Sequence, residues 1–132
     1  MAVYVFQTSA ELDRRITVLV ENCSFVKGSA HEGGGLALFV EGQCDNTVDL
    51  QTSTFLQVSS SYFLLNHATT NESKCEGYYC GLGGGVYISF SSNCSPVEVS
   101  IDNCSFIKNI ADIHGAGICI EERTYSTVTL LT

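Results

Sequence analysis

The sequence has few basic residues and no long apolar run, and each of these two shortages argues against a class of protein. Only 6 Lys and Arg accompany 14 Asp and Glu, so the formal net charge is −8. Proteins that bind nucleic acids present clustered Lys and Arg to the phosphates, so this charge argues against a nucleic-acid partner. No apolar stretch approaches the roughly 18 residues that cross a bilayer, so we expect no direct membrane insertion of this segment.

Helical signals are scarce as well. No segment of the length of a typical helix combines helical periodicity with capping residues, so almost no helix is expected. One Pro and 12 Gly stand among many Val, Ile, Thr, Ser, Tyr and Phe, a composition that favours strands joined by tight turns. At 132 residues the chain is predicted to form one domain, residues 1–132.

The sequence does contain one motif in three copies. Each copy has an apolar strand, a corner leading to a Phe, an Ala five residues after that Phe, a Gly-rich triplet and a second strand. The copies run over residues 16–38, 56–88 and 97–120, and the middle one is interrupted by an inserted loop at about 69–82. Because one copy cannot bury its own apolar face, the copies are expected to stack on one another.

Stacking predicts which residues meet. The three Phe residues should form an aromatic column, and one apolar residue of each first strand should form an aliphatic column. The first column comprises Phe25, Phe63 and Phe106, and the second comprises Val20, Val58 and Ile101. The predicted fold is an all-β parallel β-helix of about three to four rungs. The strands at both ends belong to incomplete copies without polar caps, so an open-ended fragment of a longer repeat protein is expected.

Two short motifs resemble a known family. An F-x-x-N motif stands at residues 63–66 and 106–109, whereas the first copy has Gly28 in place of Asn. The partner motif, G-G followed by an aliphatic residue, stands at residues 34–36 and 84–86 and in altered form at 115–118. This pairing resembles the repeats of chlamydial polymorphic outer membrane proteins and, more broadly, the pectin-lyase-like superfamily. The resemblance implies a right-handed single-stranded parallel β-helix over nearly the whole chain.

Seven cysteines favour an oxidising, extracellular or cell-surface location. Cys44 and Cys94 occupy the same place in adjacent copies. Neighbouring strands lie about 4.8 Å apart, within the roughly 4.4 to 6.8 Å between Cα atoms that a disulfide needs, so we predict a Cys44–Cys94 bridge. A second bridge is predicted between Cys75 and Cys80, which bracket a short segment of the inserted loop.

The other three cysteines are expected to remain outside these bridges. Cys23 and Cys104 are equivalent but lie two rungs apart, about 9.6 Å, which is too far for a disulfide. They share the parity of the Phe column and are predicted to point inward as free, small apolar residues. Cys119 is expected to face outward, either unpaired or joined to a cysteine outside this segment.

Four asparagines satisfy the glycosylation pattern N-x-[ST], namely Asn22, Asn71, Asn93 and Asn103. Asn22 and Asn103 precede the corner cysteines, with Ser60 between them in the column. For these two we favour an internal polar ladder at a left-handed turn over glycosylation. Asn71, in the inserted loop, is the best candidate for a glycan.

Catalysis is not expected. Pectate lyases and glycoside hydrolases on the fold that the resemblance implies place acidic clusters on the outer face of one sheet. An inverting hydrolase needs carboxyl groups roughly 6.5 to 9.5 Å apart. Glu21 and Asp102 lie at corresponding corners and come closest to this arrangement. The histidines, at positions 31, 67 and 114, do not form a regular ligand set, so we predict neither a metal site nor another cofactor.

The sequence therefore predicts a non-catalytic extracellular or cell-surface β-helix segment that acts as a spacer or an adhesion surface. Its partners would be a protein or a glycan at a surface loop, together with further repeats of the same chain. The inserted loop carries the adjacent Tyr78 and Tyr79, which either stack on a ligand or pack the loop onto the scaffold. The alternative is a fragment of a carbohydrate-active β-helix enzyme, either a polysaccharide lyase or a glycoside hydrolase.

Overall fold

A computed structural model describes residues 1–8, 15–43, 53–70, 80–92, 97–122 and 128–131. These residues contain fourteen β-strands and no helix, as the composition predicts. Helices long and apolar enough to cross a bilayer are therefore absent from these ranges. Strands β2 to β5 form repeat 1, β6 to β9 form repeat 2, and β10 to β13 form repeat 3.

The strands assemble into four sheets in which every pair is parallel. Sheet 1 has the order β1 (Ala2–Thr8), β5 (Leu36–Gln43), β9 (Val86–Ser92), β13 (Ile118–Glu122). Sheet 2 has the order β14 (Val128–Leu131), β10 (Val97–Asp102), β6 (Ser53–Ser59), β2 (Arg15–Glu21). Sheet 3 has the order β11 (Ser105–Ile107), β7 (Tyr62–Leu64), β3 (Ser24–Val26). Sheet 4 has the order β12 (Ile110–Ala111), β8 (His67–Ala68), β4 (Ser29–Ala30). Each repeat contributes one strand to each sheet, so equivalent strands lie side by side.

The register places like on like, which confirms the predicted columns. Phe63 lies between Phe25 and Phe106 in sheet 3, with ring centroids 4.9 and 4.8 Å away, and the rings stack nearly parallel, with interplanar angles of 6° and 4°. Val58 lies between Val20 and Ile101 in sheet 2. Each column therefore continues the core from one repeat to the next.

The core lies between the sheets, and its side chains are most completely buried on strands that have a neighbouring strand on each side. The inward residues of β5 and β9 are fully or almost fully buried, namely Leu36, Leu38, Val40, Val86, Ile88 and Phe90. Their counterparts on the edge strand β13, Ile118 and Ile120, are each 36% exposed. Burial depends on neighbours on both sides, because a single repeat cannot cover its own apolar face.

Each repeat enters the left-handed backbone region at three equivalent positions. The first contains Asn22, Ser60 and Asn103, with φ of 52°, 47° and 48°, and Asn is one of the residues that tolerate this region best. The predicted left-handed turn is thus confirmed, and Asn103 Nδ2 donates to Ser60 Oγ at 3.3 Å. These side chains are exposed, however, so the polar column lies on the surface and the expectation of an internal ladder is wrong.

An internal ladder is formed instead by the asparagines of the F-x-x-N motif. Asn66 is fully buried, accepts a hydrogen bond from Gly28 N at 2.9 Å and donates to the Phe25 carbonyl at 2.9 Å. Asn109 repeats the arrangement one step along, since its Oδ1 accepts from Asn66 N at 3.0 Å and its Nδ2 donates to the Phe63 carbonyl at 3.0 Å. The ladder thus satisfies backbone groups at the turn that follows the Phe column.

Gly28 ends this ladder for a steric reason. A Cβ atom at Gly28 would lie 2.1 Å from the carbonyl oxygen of Gly34, a distance that real Cβ atoms do not show. Glycine at this position lets the two backbone segments approach each other. The departure of the first copy from the F-x-x-N motif therefore reflects close backbone packing.

Candidate interaction surface

Most of the residues that the sequence singles out as sites lie outside the described residues. These are Cys44, Cys94, Cys75, Asn71, Tyr78 and Tyr79. The structure does describe both ends of the inserted loop, up to Thr70 and from Cys80 onward. These two ends show where the inserted loop leaves and rejoins repeat 2.

Cys80 is buried, at 8% exposure, and is disulfide-bonded, with its partner outside the described residues. The predicted bridge from Cys75 to Cys80 thus remains a prediction, as does the bridge between Cys44 and Cys94. The three other cysteines that the structure describes, Cys23, Cys104 and Cys119, are free.

Backbone hydrogen bonds join both ends of the loop to repeat 1. On the first side, Thr69 N donates to Ala30 O at 2.9 Å, and on the return side Gly81 N donates to His31 O at 2.7 Å. A Cβ atom at Gly81 would lie 2.8 Å from Thr70 Cγ2, so the two ends also approach each other closely. We call residues 69, 70, 80 and 81 with His31 and Asp112 the loop base.

A polar cluster on repeat 3 holds the first side of the loop base. Asp112 Oδ1 lies 2.6 Å from His67 Nε2, and Asp112 Oδ2 accepts from Thr70 N at 2.8 Å and from Thr70 Oγ1 at 3.2 Å. These bonds, first of all that from His67, lower the pKa of Asp112 to about 2. The carboxylate is therefore charged throughout the physiological range and holds Thr70 in place.

The histidines act in this region as hydrogen-bonding groups. His31 Nδ1 donates to the Thr69 carbonyl at 3.2 Å, and His67 is paired with Asp112. Among the residues that the structure describes, no three His, Cys, Asp or Glu side chains come together as they would around a metal ion. The loop base thus combines polar anchors with a disulfide rather than ligands for an ion.

An aromatic row on the outer face of sheet 1 was not predicted from the sequence. The Tyr4 and Phe39 rings stack at 4.7 Å and 9°, and Phe39 meets the Tyr87 ring edge to face at 5.7 Å and 66°. Tyr4 is 57% exposed, whereas Tyr87 is buried. The sequence does contain a signal for this row. Leu36 and Leu38 face the core, and side chains alternate along a strand, so Ala37 and Phe39 lie on the outer face of β5.

Tyr87 joins this row to acidic side chains. Its hydroxyl donates to Glu121 Oε2, and burial, followed by this bond, raises its pKa well above the usual range. Cys119 lies beside Tyr87 in the register, on the outer face as predicted, and packs against the cluster that Tyr87 forms with Ala37 and Leu82. Burial, and then Glu121, raise the pKa of the Cys119 thiol, so it is less reactive than an exposed cysteine.

Cys23 and Cys104 pack against the main core as predicted, on either side of a buried serine. Ser61 stands between them in the column, accepts from Cys23 N at 3.2 Å and donates to the Ser59 carbonyl at 2.8 Å. The cysteines are therefore part of the packing at the corner.

The acidic pair of the enzymatic alternative lies in one row of sheet 2. Glu21 and Asp102 flank Ser59 in the register, so their backbones are about 9.6 Å apart, two strand spacings. Ser59 Oγ donates to Glu21 Oε1 at 3.5 Å, and both carboxylates are exposed. The row provides two carboxylates with a hydroxyl between them and is open to solvent.

Comparison with known families, with curated proteins and with solved structures finds no significant match to this chain.

Proposed function

We propose that this chain is a segment of a right-handed parallel β-helix in an extracellular or cell-surface repeat protein, where it serves as a spacer that presents an interaction loop. The observation that carries the proposal is the like-on-like stacking of the three repeats. Each repeat gives one strand to each of the four sheets in the same order, which supports the proposal because a solenoid stacks equivalent strands in this way.

The extracellular location is supported by the cysteines. Cys80 is disulfide-bonded, and structural disulfides persist mainly in oxidising compartments. The resemblance to the repeats of polymorphic outer membrane proteins points to the same location. Asn71, one residue beyond the described end of the loop base, is proposed to carry a glycan.

The interaction surface is proposed to be the inserted loop with Tyr78 and Tyr79. Loops on rigid scaffolds commonly carry binding functions, because the scaffold tolerates changes in their sequence. Two independent contacts hold the described ends of this loop: the Asp112 bonds to Thr70 and the disulfide of Cys80. Exposed tyrosines provide a large amphipathic surface for a protein or a glycan.

Binding of the purified chain to a glycan array and to intact cells tests this function. The double variant Tyr78→Ala with Tyr79→Ala should lose binding while retaining the β-sheet circular dichroism spectrum. Tyr4→Ala is the matched control, since it removes an exposed tyrosine from the outer face of sheet 1. Binding that survives in the double variant and disappears in Tyr4→Ala would move the surface to sheet 1.

The alternative function, a carbohydrate-active enzyme fragment, is favoured by one observation only. Glu21 and Asp102 share a row with Ser59 at a spacing that approaches that of inverting hydrolases. Turnover of polysaccharides that both Glu21→Gln and Asp102→Asn abolish would support the enzyme. Glycan binding without turnover would support the non-catalytic function.

A further inference from the structure

The corner between sheets 2 and 3 carries two asparagines outside the core. Asn22 in repeat 1 and Asn103 in repeat 3 are exposed, with φ of 52° and 48°. The internal ladder at the next turn is formed by Asn66 and Asn109 instead. The side chains of the two corner asparagines are therefore accessible to modification.

Each corner asparagine begins a complete N-x-[ST] pattern. The hydroxyl residues of the two patterns are Ser24 on β3 and Ser105 on β11, and both are exposed. Repeat 2 has Ser60 and Tyr62 at the equivalent positions and so lacks both parts of the pattern. Ser60 adopts the same left-handed turn with a φ of 47°, so the turn itself does not require an asparagine.

We propose that Asn22 and Asn103 are N-glycosylation sites, so that this corner is a glycan-bearing edge of the solenoid. The proposal rests on the extracellular location in the proposed function, because N-glycans belong to secreted and surface proteins. The donor is an oligosaccharide linked to a lipid diphosphate. A bond forms between Nδ2 of the asparagine and C1 of the first sugar, and the bond from C1 to the phosphate oxygen breaks. Nδ2 loses one proton, and the lipid diphosphate leaves.

The stacking of the repeats separates the two sites. Asn22 N donates to Ser59 O at 3.2 Å. Ser60 N donates to Asp102 O at 3.1 Å, so the corner residues stack like the strands before them. The two asparagines are thus two strand spacings apart, about 9.6 Å. Glycans on every copy would have attachment points only about 4.8 Å apart, but Ser60, which lies between the two sites, has no amide to carry one.

The contacts of the corner are compatible with attached sugars. Asn103 Nδ2 donates to Ser60 Oγ at 3.3 Å, and an amide nitrogen that carries a sugar keeps one of its two hydrogens for this bond. The middle residues of the two patterns, Cys23 and Cys104, pack against the core and are free. Neither cysteine therefore ties its corner to another segment through a disulfide.

Glycans at this corner would affect the neighbouring surface. Asn22 directly follows Glu21, and Asn103 directly follows Asp102, so the sugars stand beside both carboxylates of the acidic row. In repeat 2 the chain passes through sheets 3 and 4 between the corner and the loop base. The glycans therefore shield the acidic row and lie away from the loop base, which favours the non-catalytic function over the enzymatic alternative.

Mapping the occupied sites of the secreted chain tests the proposal. The full chain is secreted from a eukaryotic cell line and treated with peptide-N-glycosidase in heavy-oxygen water, which converts each glycosylated asparagine to a labelled aspartate. Mass spectrometry should find the label at positions 22 and 103 in soluble protein that retains the β-sheet circular dichroism spectrum. A bare asparagine at either position in that protein would overturn the assignment of that site. A label found only in aggregated protein would overturn both assignments.

Two kinds of variant provide matched controls. Ser24→Ala and Ser105→Ala keep the asparagines but destroy the pattern, so each should remove the label at its own corner alone. A label that persists there would contradict N-glycosylation. Ala68→Ser creates a new pattern at Asn66, which is fully buried, so a label at Asn66 is expected only in misfolded protein. Soluble, folded protein with a glycan at Asn66 would overturn the link between exposure and modification on which the proposal depends.

This inference and the proposed function can be told apart by their failures. A chain that the cells retain, or that they secrete with a free thiol at Cys80, contradicts the extracellular location and this inference with it. A secreted chain with Cys80 bonded and bare asparagines at both corners loses only this inference. A chain glycosylated at both corners that binds neither the glycan array nor cells loses only the loop function.

Discussion

His67 and Asp112 join repeat 2 to repeat 3, with 2.6 Å between His67 Nε2 and Asp112 Oδ1. The same carboxylate also holds Thr70, where the inserted loop begins. A single side chain thus connects the stacking of the repeats with the position of the loop. The charge state of Asp112 should therefore affect both the contact between repeats 2 and 3 and the position of Thr70.

Acid should loosen the loop base. The pKa of Asp112 is lowered from 3.8 to about 2, so the folded state favours the carboxylate. This contribution to stability is fully present above the unfolded pKa and is lost as the pH falls through the interval from 3.8 to about 2. The melting temperature of the unmodified chain should therefore fall more steeply over this interval than that of Asp112→Asn. Parallel melting curves for the two proteins would contradict the assignment.

Removing the central ring of the Phe column should strongly destabilise the fold. Phe63→Ala leaves a cavity between two stacked rings, and such substitutions cost about 3 to 5 kcal/mol. Denaturant unfolding measures the loss. Phe25→Ala should cost less, because Phe25 is only half-buried and has one ring neighbour in the column. Equal losses for the two variants would mean that the column is not the centre of the core.

Restoring the missing asparagine of the first copy should destabilise the protein. In Gly28→Asn the new Cβ would approach the Gly34 carbonyl oxygen to 2.1 Å, so the backbone must move. Thermal denaturation should show a lower midpoint for this variant. Leu65→Asn is the control, since Leu65 is exposed, has a φ of 57° and lies next to the ladder. Asn accepts this conformation more readily than Leu, so the control should be neutral or stabilising.

Peptide mapping of the non-reduced protein should find two disulfides. One is expected between Cys44 and Cys94 and the other between Cys75 and Cys80, which is disulfide-bonded in the structure. Free thiols should be found at Cys23, Cys104 and Cys119. A crosslink between Cys23 and Cys104 would contradict the register, because Ser61 separates them in the column.

The repeats made much of the fold predictable. Equivalent residues of consecutive copies had to stack, so the Phe25, Phe63 and Phe106 column followed from their spacing relative to the alanines and glycines. The left-handed turns at Asn22 and Asn103 were predictable because Asn at a turn tolerates the left-handed backbone region. The exposure of those side chains was not, because the alignment of copies shows which residues are neighbours and not how far they lie from solvent.

The outer face of sheet 1 was predictable from the sequence only in part. Alternation along β5 and β9 marks the inward residues, and by exclusion it indicates that Phe39 and Tyr87 lie on the outer face. It did not predict that Tyr87 would be buried and bonded to Glu121, since burial on an outer face depends on residues distant in the sequence.

The sequence by itself determined the repeat, the stacking register and the identity of the core columns, because those follow from local alternation and from the spacing of equivalent residues. Only the tertiary structure decided why Gly28 replaces an asparagine and how Asp112 holds Thr70 at the start of the inserted loop. Each of these depends on distances between segments that are not adjacent in the sequence. Such distances are fixed only when the repeats pack together.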